Sequence, residues 1–175
     1  MPWLGRATHG WSVMRVLCVV AVVAVALVVP GSAAAAPPDR WLDAPVPVEI
    51  AAIFDRPGSA WGAGHRGIDL FAVDGAEVRS PGAGIVTFAG DVAGRGVVVV
   101  LHPTGLRSSL EPVTASVSVG ETVSAGTVVG SLETRQSHCS PSACLHWGVR
   151  EGDEYVDPLD VLRGFGPIRL LPLRE

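Results

Sequence analysis

The sequence predicts an all-β domain, either a sandwich or a barrel, and two observations support this. Short apolar stretches rich in β-branched residues recur from Val46 onward, with glycine turns between them. Strands at about ten-residue spacing with such turns are typical of sandwiches and barrels. No segment after residue 35 has the apolar period of about 3.6 residues that marks an amphipathic helix. Few or no helices are therefore expected in this part of the chain.

The individual elements are predicted in chain order. Residues 84–89 form the first clear strand, and residues 96–101 are a run of valines and leucine that favours a doubly buried strand. Residues 116–120 alternate between polar and apolar, and residues 127–132 follow a Ser-Ala-Gly turn, so both are predicted strands. Residues 157–162 are predicted to contain one helical turn, because an aspartate stands in the N-cap position and a proline follows it.

The N-terminal residues 1–35 are predicted to be a secretory signal peptide. Two arginines precede an unbroken apolar run at 16–29, and small residues follow at 32–36. This is the layout of a cleaved export signal. The alternative is a retained membrane anchor, but the run is shorter than the roughly twenty residues that a span requires. A secreted protein of the cell wall or a periplasm-like space is expected, with no membrane span after cleavage.

The remaining chain is predicted to divide into a proline-rich lead-in with little structure (36–45), a single β domain (46–162) and a C-terminal tail (163–175). After residue 35 there are eleven arginines against seventeen acidic residues, a net charge near −6. Nucleic-acid surfaces need basic clustering, so this balance argues against a nucleic-acid partner. The chain contains no lysine.

Two short segments about eighty residues apart carry the candidate chemistry. They contribute His65, Asp69 and His146. Two imidazoles and a carboxylate suit Zn²⁺ with one position left for water, which is the pattern of a catalytic zinc site. Each part alone also has a structural explanation that involves no metal. A His-x-x-x-Asp segment is commonly a polar stretch of the surface, and His146 could be a hydrogen-bonded histidine of the core. Gly64 and Gly67 make a helix improbable here, so a glycine-shaped loop must align the first two side chains.

Two cysteines remain after residue 35, Cys139 and Cys144. An exported protein with an even pair separated by a short loop is a good candidate for a disulfide. Closing so short a loop stabilises the fold little through chain entropy. The bond is therefore expected to shape the chain locally. Two free thiols are the alternative.

The order of four motifs resembles that of lysostaphin-type zinc metallopeptidases, the LytM-like endopeptidases that cleave peptidoglycan. The motifs are residues 64–70 (GHRGIDL), 81–86 (PGAGIV), 119–126 (VGETVSAG) and 145–148 (LHWG). The resemblance covers nearly all of residues 46–162. It implies a two-layered antiparallel β-sandwich with zinc in a groove on one sheet. It also implies hydrolysis of peptide cross-links in bacterial peptidoglycan by metal-activated water.

Transferred to this sequence, the resemblance makes His65 and Asp69 the first two zinc ligands and His146 the third. His146 corresponds to the second histidine of a His-x-His pair. Two positions depart from the family. Cys144 stands at the first histidine of that pair, and residues 110–113 contain no histidine where the family has a further one. All three ligands match, and both helper histidines are missing.

Three interpretations of this departure are open. In the first, the enzyme is active and another residue replaces the missing catalytic base. The candidates are His138, which the disulfide would bring near the metal, and Glu111. In the second, the domain binds zinc without catalysis and either binds peptidoglycan or activates a partner hydrolase. In the third, Cys144 is a thiolate ligand and the zinc is structural. Peptidoglycan is the expected partner, and the protein is expected to be a monomer.

Three further points narrow the prediction. Residues 84–86 and 119–126 also resemble biotin- or lipoyl-carrier domains, but such carriers need a lysine, so that reading is excluded. Trp61 and Trp147 could line a substrate groove or pack in the core. Arg66 could orient a carboxylate or be a solvated loop residue.

Overall fold

The computed structural model describes residues 40–59, 61–133, 135, 137–139 and 142–165. The predicted signal peptide and residues 166–175 of the predicted tail lie outside these residues. Within the described part, no helix has the length and apolar character that a membrane crossing requires.

The described part contains eleven strands and one short 3₁₀ helix. The strands are β1 (Ile50–Ala52), β2 (Ile68–Phe71), β3 (Glu77–Arg79), β4 (Gly84–Val92), β5 (Arg95–Leu101), β6 (Leu106–Glu111), β7 (Val113–Ala115), β8 (Thr122–Val123), β9 (Val128–Leu132), β10 (Cys144–Glu151) and β11 (Glu154–Val156), and the 3₁₀ helix is Pro158–Asp160.

The strands form two antiparallel sheets. The larger sheet has the order β1-β2-β10-β6-β5-β4-β8, with β11 paired to β10, and the smaller has the order β3-β9-β7. Core side chains from both sheets pack in one cluster, for example Leu70, Val98 and Leu110 from the larger and Val78 and Val129 from the smaller. The predicted all-β antiparallel sandwich is confirmed.

Strand β10 shows which face of the larger sheet can carry chemistry. Leu145, Trp147 and Val149 are fully buried in the core between the sheets. Because successive side chains of a strand point to opposite faces, His146 and Arg150 lie on the other face. This second face, away from the smaller sheet, is called the open face below.

Most of the predicted elements are present. The strands predicted at 84–89, 96–101 and 127–132 correspond to β4, β5 and β9. The helical turn begins at Pro158, and the Asp157 side chain accepts a hydrogen bond from the Leu159 backbone N–H at 2.9 Å, as an N-cap does.

The strand predicted at residues 116–120 is wrong. The strand in this region is β7, which ends at Ala115, and the chain then turns. Gly120 has a φ of 89°, and the Ser118 backbone N–H donates to the Glu121 carboxylate at 3.1 Å. Val119 is 62% exposed, so the apolar alternation does not correspond to a buried face.

The lead-in is more structured than the sequence predicts. Leu42 is buried in the core and forms a parallel bridge with Leu162. Its backbone N–H donates to the Val161 carbonyl at 2.8 Å, and its carbonyl accepts from the Arg163 N–H at 2.7 Å. Segments near both ends of the described chain therefore pair with each other and belong to the same domain.

Candidate metal centre

Two of the three predicted ligands lie side by side across neighbouring strands. Asp69 of β2 and His146 of β10 are direct partners in the antiparallel register. Glu111, at the end of β6, is the partner of His146 on its other side. Directly opposite residues share a face and lie about 5 Å apart. The sheet therefore places a carboxylate, an imidazole and a second carboxylate in one row on the open face.

The third predicted ligand, His65, reaches this row from the segment before β2. It forms a bridge with Asp55 outside the named strands. Its Nδ1 lies 2.7 Å from the Ile53 carbonyl, which can only accept, so Nδ1 carries the proton and Nε2 presents a lone pair. Such a backbone partner fixes the tautomer and ring orientation that a metal-binding histidine needs.

Three ligand atoms converge on one point. His65 Nε2 lies 3.1 Å from Asp69 Oδ1 and 3.1 Å from His146 Nδ1, and His146 Nδ1 lies 2.8 Å from Asp69 Oδ1. Tetrahedral zinc with ligands at about 2.0–2.1 Å separates its ligand atoms by about 3.3 Å. Since His65 Nε2 and Asp69 Oδ1 are both acceptors, a cation or a proton is needed between them. The donor set therefore fits zinc.

Asp69 is held as a carboxylate. It is only 3% exposed, and burial alone would raise the pKa of its side chain. Hydrogen bonds with His146 and His138, together with the charges that His146 and His65 carry when protonated, outweigh the burial and lower the pKa of Asp69 to about 2. The Asp69 side chain is therefore ionised near neutral pH.

Glycine makes the close approach of these segments possible. A Cβ at Gly67 would lie 2.4 Å from the Trp147 carbonyl oxygen and 2.8 Å from Nε2 of His146. Gly64 has a φ of 152°, and a Cβ there would lie 2.6 Å from the Asp55 carbonyl oxygen. Gly67 lets the loop of His65 lie against β10, and Gly64 lets the same loop lie against the backbone of Asp55, so glycines shape this loop as the sequence predicts.

His138 also reaches the cluster. Its Nε2 lies 2.8 Å from the second carboxylate oxygen of Asp69, and its side chain is 53% exposed. Ligand atoms of His138, His65, Asp69 and His146 all lie within 4.8 Å of one another. A water held at the three predicted ligands would therefore be within reach of an accessible imidazole.

The neighbouring residue of His138 is tied to the sheet. Cys139 and Cys144 form a disulfide, and the Cys144 sulfur lies 3.7 Å from His138 Nε2. The bond anchors the loop at the first residue of β10, two positions before His146. A disulfide sulfur carries no thiolate, so in this state Cys144 offers the metal no ligand of the kind considered in the third interpretation.

Glu111, the other candidate base, occupies a different position. Its carboxylate lies 3.5 Å from Nε of Arg95 and is 24% exposed. Glu111 belongs to the 110–113 region in which the resemblance leads one to expect a histidine, and it is next to His146 in the sheet. The contact with Arg95 could not be found in the sequence, because no local spacing links the two residues.

The two tryptophans considered in the sequence, Trp147 and Trp61, have opposite surroundings. Trp147 is fully buried, and its indole N–H donates to the Ser108 hydroxyl at 3.3 Å. That hydroxyl lies 2.9 Å from Nε2 of His102, a buried histidine whose Nδ1 lies 2.9 Å from the Ala83 carbonyl. Burial lowers the pKa of His102, although its hydrogen bond with Ala83 acts in the opposite direction. Trp61, in contrast, is 97% exposed.

Comparison with known proteins connects this centre to a family. The sequence model of peptidase family M23 matches residues 63–158, a range that includes the three predicted ligands. An uncharacterized protein of Mycobacterium tuberculosis is 47% identical over 131 residues, which cover 73% of this chain and 52% of that protein. The DD-carboxypeptidase/endopeptidase Mpg of Neisseria meningitidis is 30% identical over 98 residues, which cover 55% of this chain and 22% of that protein.

A solved structure shows the same fold. The catalytic domain of the antimicrobial peptidase lysostaphin from Staphylococcus simulans superposes with a TM-score of 0.54 at 20% identity, over 64% of this chain and 90% of that domain. The chain spans about half the length of the mycobacterial relative it matches.

Proposed function

The chain belongs to peptidase family M23, and from that premise we propose that it is a zinc-dependent endopeptidase that cuts peptide cross-links of bacterial peptidoglycan. The observation that carries the proposal is the convergence of His65 Nε2, Asp69 Oδ1 and His146 Nδ1 within 2.8–3.1 Å of one another. Three ligands leave one tetrahedral position open, as catalytic zinc sites require.

In this proposal each side chain has a defined role. His65, Asp69 and His146 would hold the zinc. The zinc would polarise the peptide carbonyl and lower the pKa of a water molecule, so that hydroxide is available as the nucleophile at neutral pH. His138 accepts the proton that the attacking water loses and returns it to the leaving amine, so the two products are a carboxylate and an amine. Its exposed ring can meet a substrate from the open face.

Glu111 is proposed as the second candidate for proton transfer. It lies in the same row as Asp69 and His146. Its carboxylate is paired with Nε of Arg95 at 3.5 Å and its side chain is 24% exposed, against 53% for His138, so a substrate reaches it less easily. We therefore place His138 first and Glu111 second.

One observation favours a different function, a zinc-binding module without catalysis that binds peptidoglycan or activates a partner hydrolase. Cys144, at the position where the family resemblance predicts a helper histidine, is locked in a disulfide and cannot transfer a proton. The endopeptidase proposal requires that His138 or Glu111 replaces that lost group.

We further propose that the protein works outside the cytoplasm. The disulfide supports this, because such bonds persist mainly in oxidising compartments. The predicted export signal at residues 1–35 is consistent with the same location.

Release of soluble muropeptides from purified peptidoglycan tests the function. We expect the zinc-loaded protein without residues 1–35 to release fragments with new amino groups, to lose this activity with a chelator, and to regain it with zinc. Binding to the same peptidoglycan is measured in parallel by sedimentation. Binding without release by the zinc-loaded protein would contradict the endopeptidase proposal and favour the module.

A further inference from the structure

A cleft of about 740 Å³ opens beside the candidate metal centre. One wall is the segment before β2, with Arg56, Trp61 and Arg66. The other wall is the hairpin of β10 and β11, with Arg150 and Tyr155. Neither the predicted ligands nor the candidate bases line it.

Both walls of this cleft lead to the metal centre. Arg66 directly follows His65, and Arg150 lies four residues after His146 on the same strand and the same face. Gly148 lies between them, and a Cβ there would approach the Arg66 carbonyl oxygen to 3.0 Å. The Arg66 backbone therefore packs on the buried Gly148, and an extended peptide bound at the centre would reach the cleft across the Arg66 segment.

The cleft is lined by three guanidinium groups and two carboxylates. The carboxylates are paired, Asp153 with Arg150 at 3.2 Å and Glu154 with Arg56 at 3.8 Å. The side chains of Asp153 and Glu154 are 102% and 82% exposed. Ion pairs this exposed contribute little to stability. A ligand carboxylate could therefore replace them at little cost.

Arg150 is the best prepared of these cations. Its guanidinium stacks over the Tyr155 ring at 5.3 Å, which limits its freedom. Among the described residues, its Nε is one of the buried side-chain atoms without a hydrogen-bond partner. Because Nε is buried, a ligand carboxylate would displace Asp153 and pair with the two terminal nitrogens. Trp61, 97% exposed on the opposite wall, offers an aromatic surface to the same ligand.

Resting on the proposed function, we propose that this cleft is a subsite for the part of the substrate peptide that carries a free carboxylate, about three to four residues from the bond that is cut. The distance follows from the strand. Four residues of β10 separate His146 from Arg150, or about 13 Å at 3.3–3.4 Å per residue. An extended peptide covers about 3.3–3.6 Å per residue, and the arginine side chain shortens the reach.

Binding of two matched muropeptide dimers tests the subsite. They differ only in whether the stem-peptide carboxylates are free or amidated. We measure their affinities by calorimetry on the zinc-free protein, where no cleavage can interfere. The free form is expected to bind about tenfold more tightly, as one charge-assisted bidentate contact would give. This preference should shrink at high salt because the cleft is open to solvent.

Three variants locate the preference. Arg150→Gln should remove most of the tenfold difference, Arg150→Lys should keep part of it, and Arg79→Gln, on the smaller sheet, should keep all of it. Arg56→Gln is the second cleft variant, and thermal unfolding checks that each protein is folded. Equal affinities for the two dimers, or a preference unchanged in both Arg150→Gln and Arg56→Gln, would overturn the subsite.

The binding experiment also separates this inference from the function it rests on. A carboxylate preference that Arg150→Gln removes would support the subsite even in a protein that releases no muropeptides. Cleavage of both dimers with the same KM, and no preference in binding, would overturn the subsite and leave the endopeptidase proposal standing.

Discussion

Replacing His146 with alanine is expected to lower zinc affinity by more than about 100-fold, because loss of even a ligand's hydrogen-bond partner costs 10- to 100-fold. Only His65 and Asp69 of the three converging ligands remain in this variant, and two donors do not define a tetrahedral site. Peptidoglycan hydrolysis should fall with the metal. Metal content after equilibrium dialysis against a fixed low zinc concentration measures the effect directly.

The control for this prediction is Glu77→Gln, which removes an exposed carboxylate of the smaller sheet, whereas Asp69 and His146 lie on the larger sheet. It should keep the full zinc content. Asp69→Asn is a second test that preserves shape while removing the ligand charge, and it should lose zinc as His146→Ala does. One zinc per protein in both cluster variants would refute the assigned ligand set.

The second large effect is expected for His138→Ala. If His138 moves the proton, kcat should fall by about 10²- to 10⁴-fold, the usual contribution of a general acid–base group. Zinc content should stay near one per protein, because the three proposed ligands are untouched. The acid limb of the pH–rate profile should change as well, which a purely structural role would not cause.

Glu111→Gln is the matched comparison for His138→Ala, since Glu111 is the other candidate base. We expect a smaller loss of kcat in Glu111→Gln. A loss of the predicted size in Glu111→Gln together with near-normal turnover in His138→Ala would transfer the proton-transfer role to Glu111. Loss of zinc from His138→Ala would instead show that His138 is a ligand.

The fold was predictable where the sequence pattern has a simple physical cause. The valine run of β5 forms a strand as predicted, although Val99 and Leu101 on one face are only half-buried. The turn at Pro158 follows from a cap that acts within two residues. The strand prediction for residues 116–120 was wrong because polar and apolar residues can also alternate in an exposed turn, where local hydrogen bonds outweigh a weak apolar pattern. Leu42 could not be placed, because its partner Leu162 is distant in the chain.

The candidate site was predictable in its ligand types and less so in its surroundings. His65 and Asp69 are close in sequence, and the glycines between and before them indicate a tight loop. The register that places Glu111 beside His146 depends on long-range strand pairing, which no local pattern encodes. The arginine cleft was missed for the same reason, since Arg56 and Arg150 are brought together only by the folded sheet.

Zinc X-ray absorption on the zinc-loaded protein tests the proposed centre most directly. His65, Asp69, His146 and one water predict four nitrogen or oxygen neighbours at about 2.0–2.2 Å, two of them imidazoles. The protein with the intact disulfide and the variant with both cysteines replaced by serine should give the same spectrum. A sulfur neighbour at about 2.3 Å, or one imidazole in place of two, would contradict the assigned ligand set.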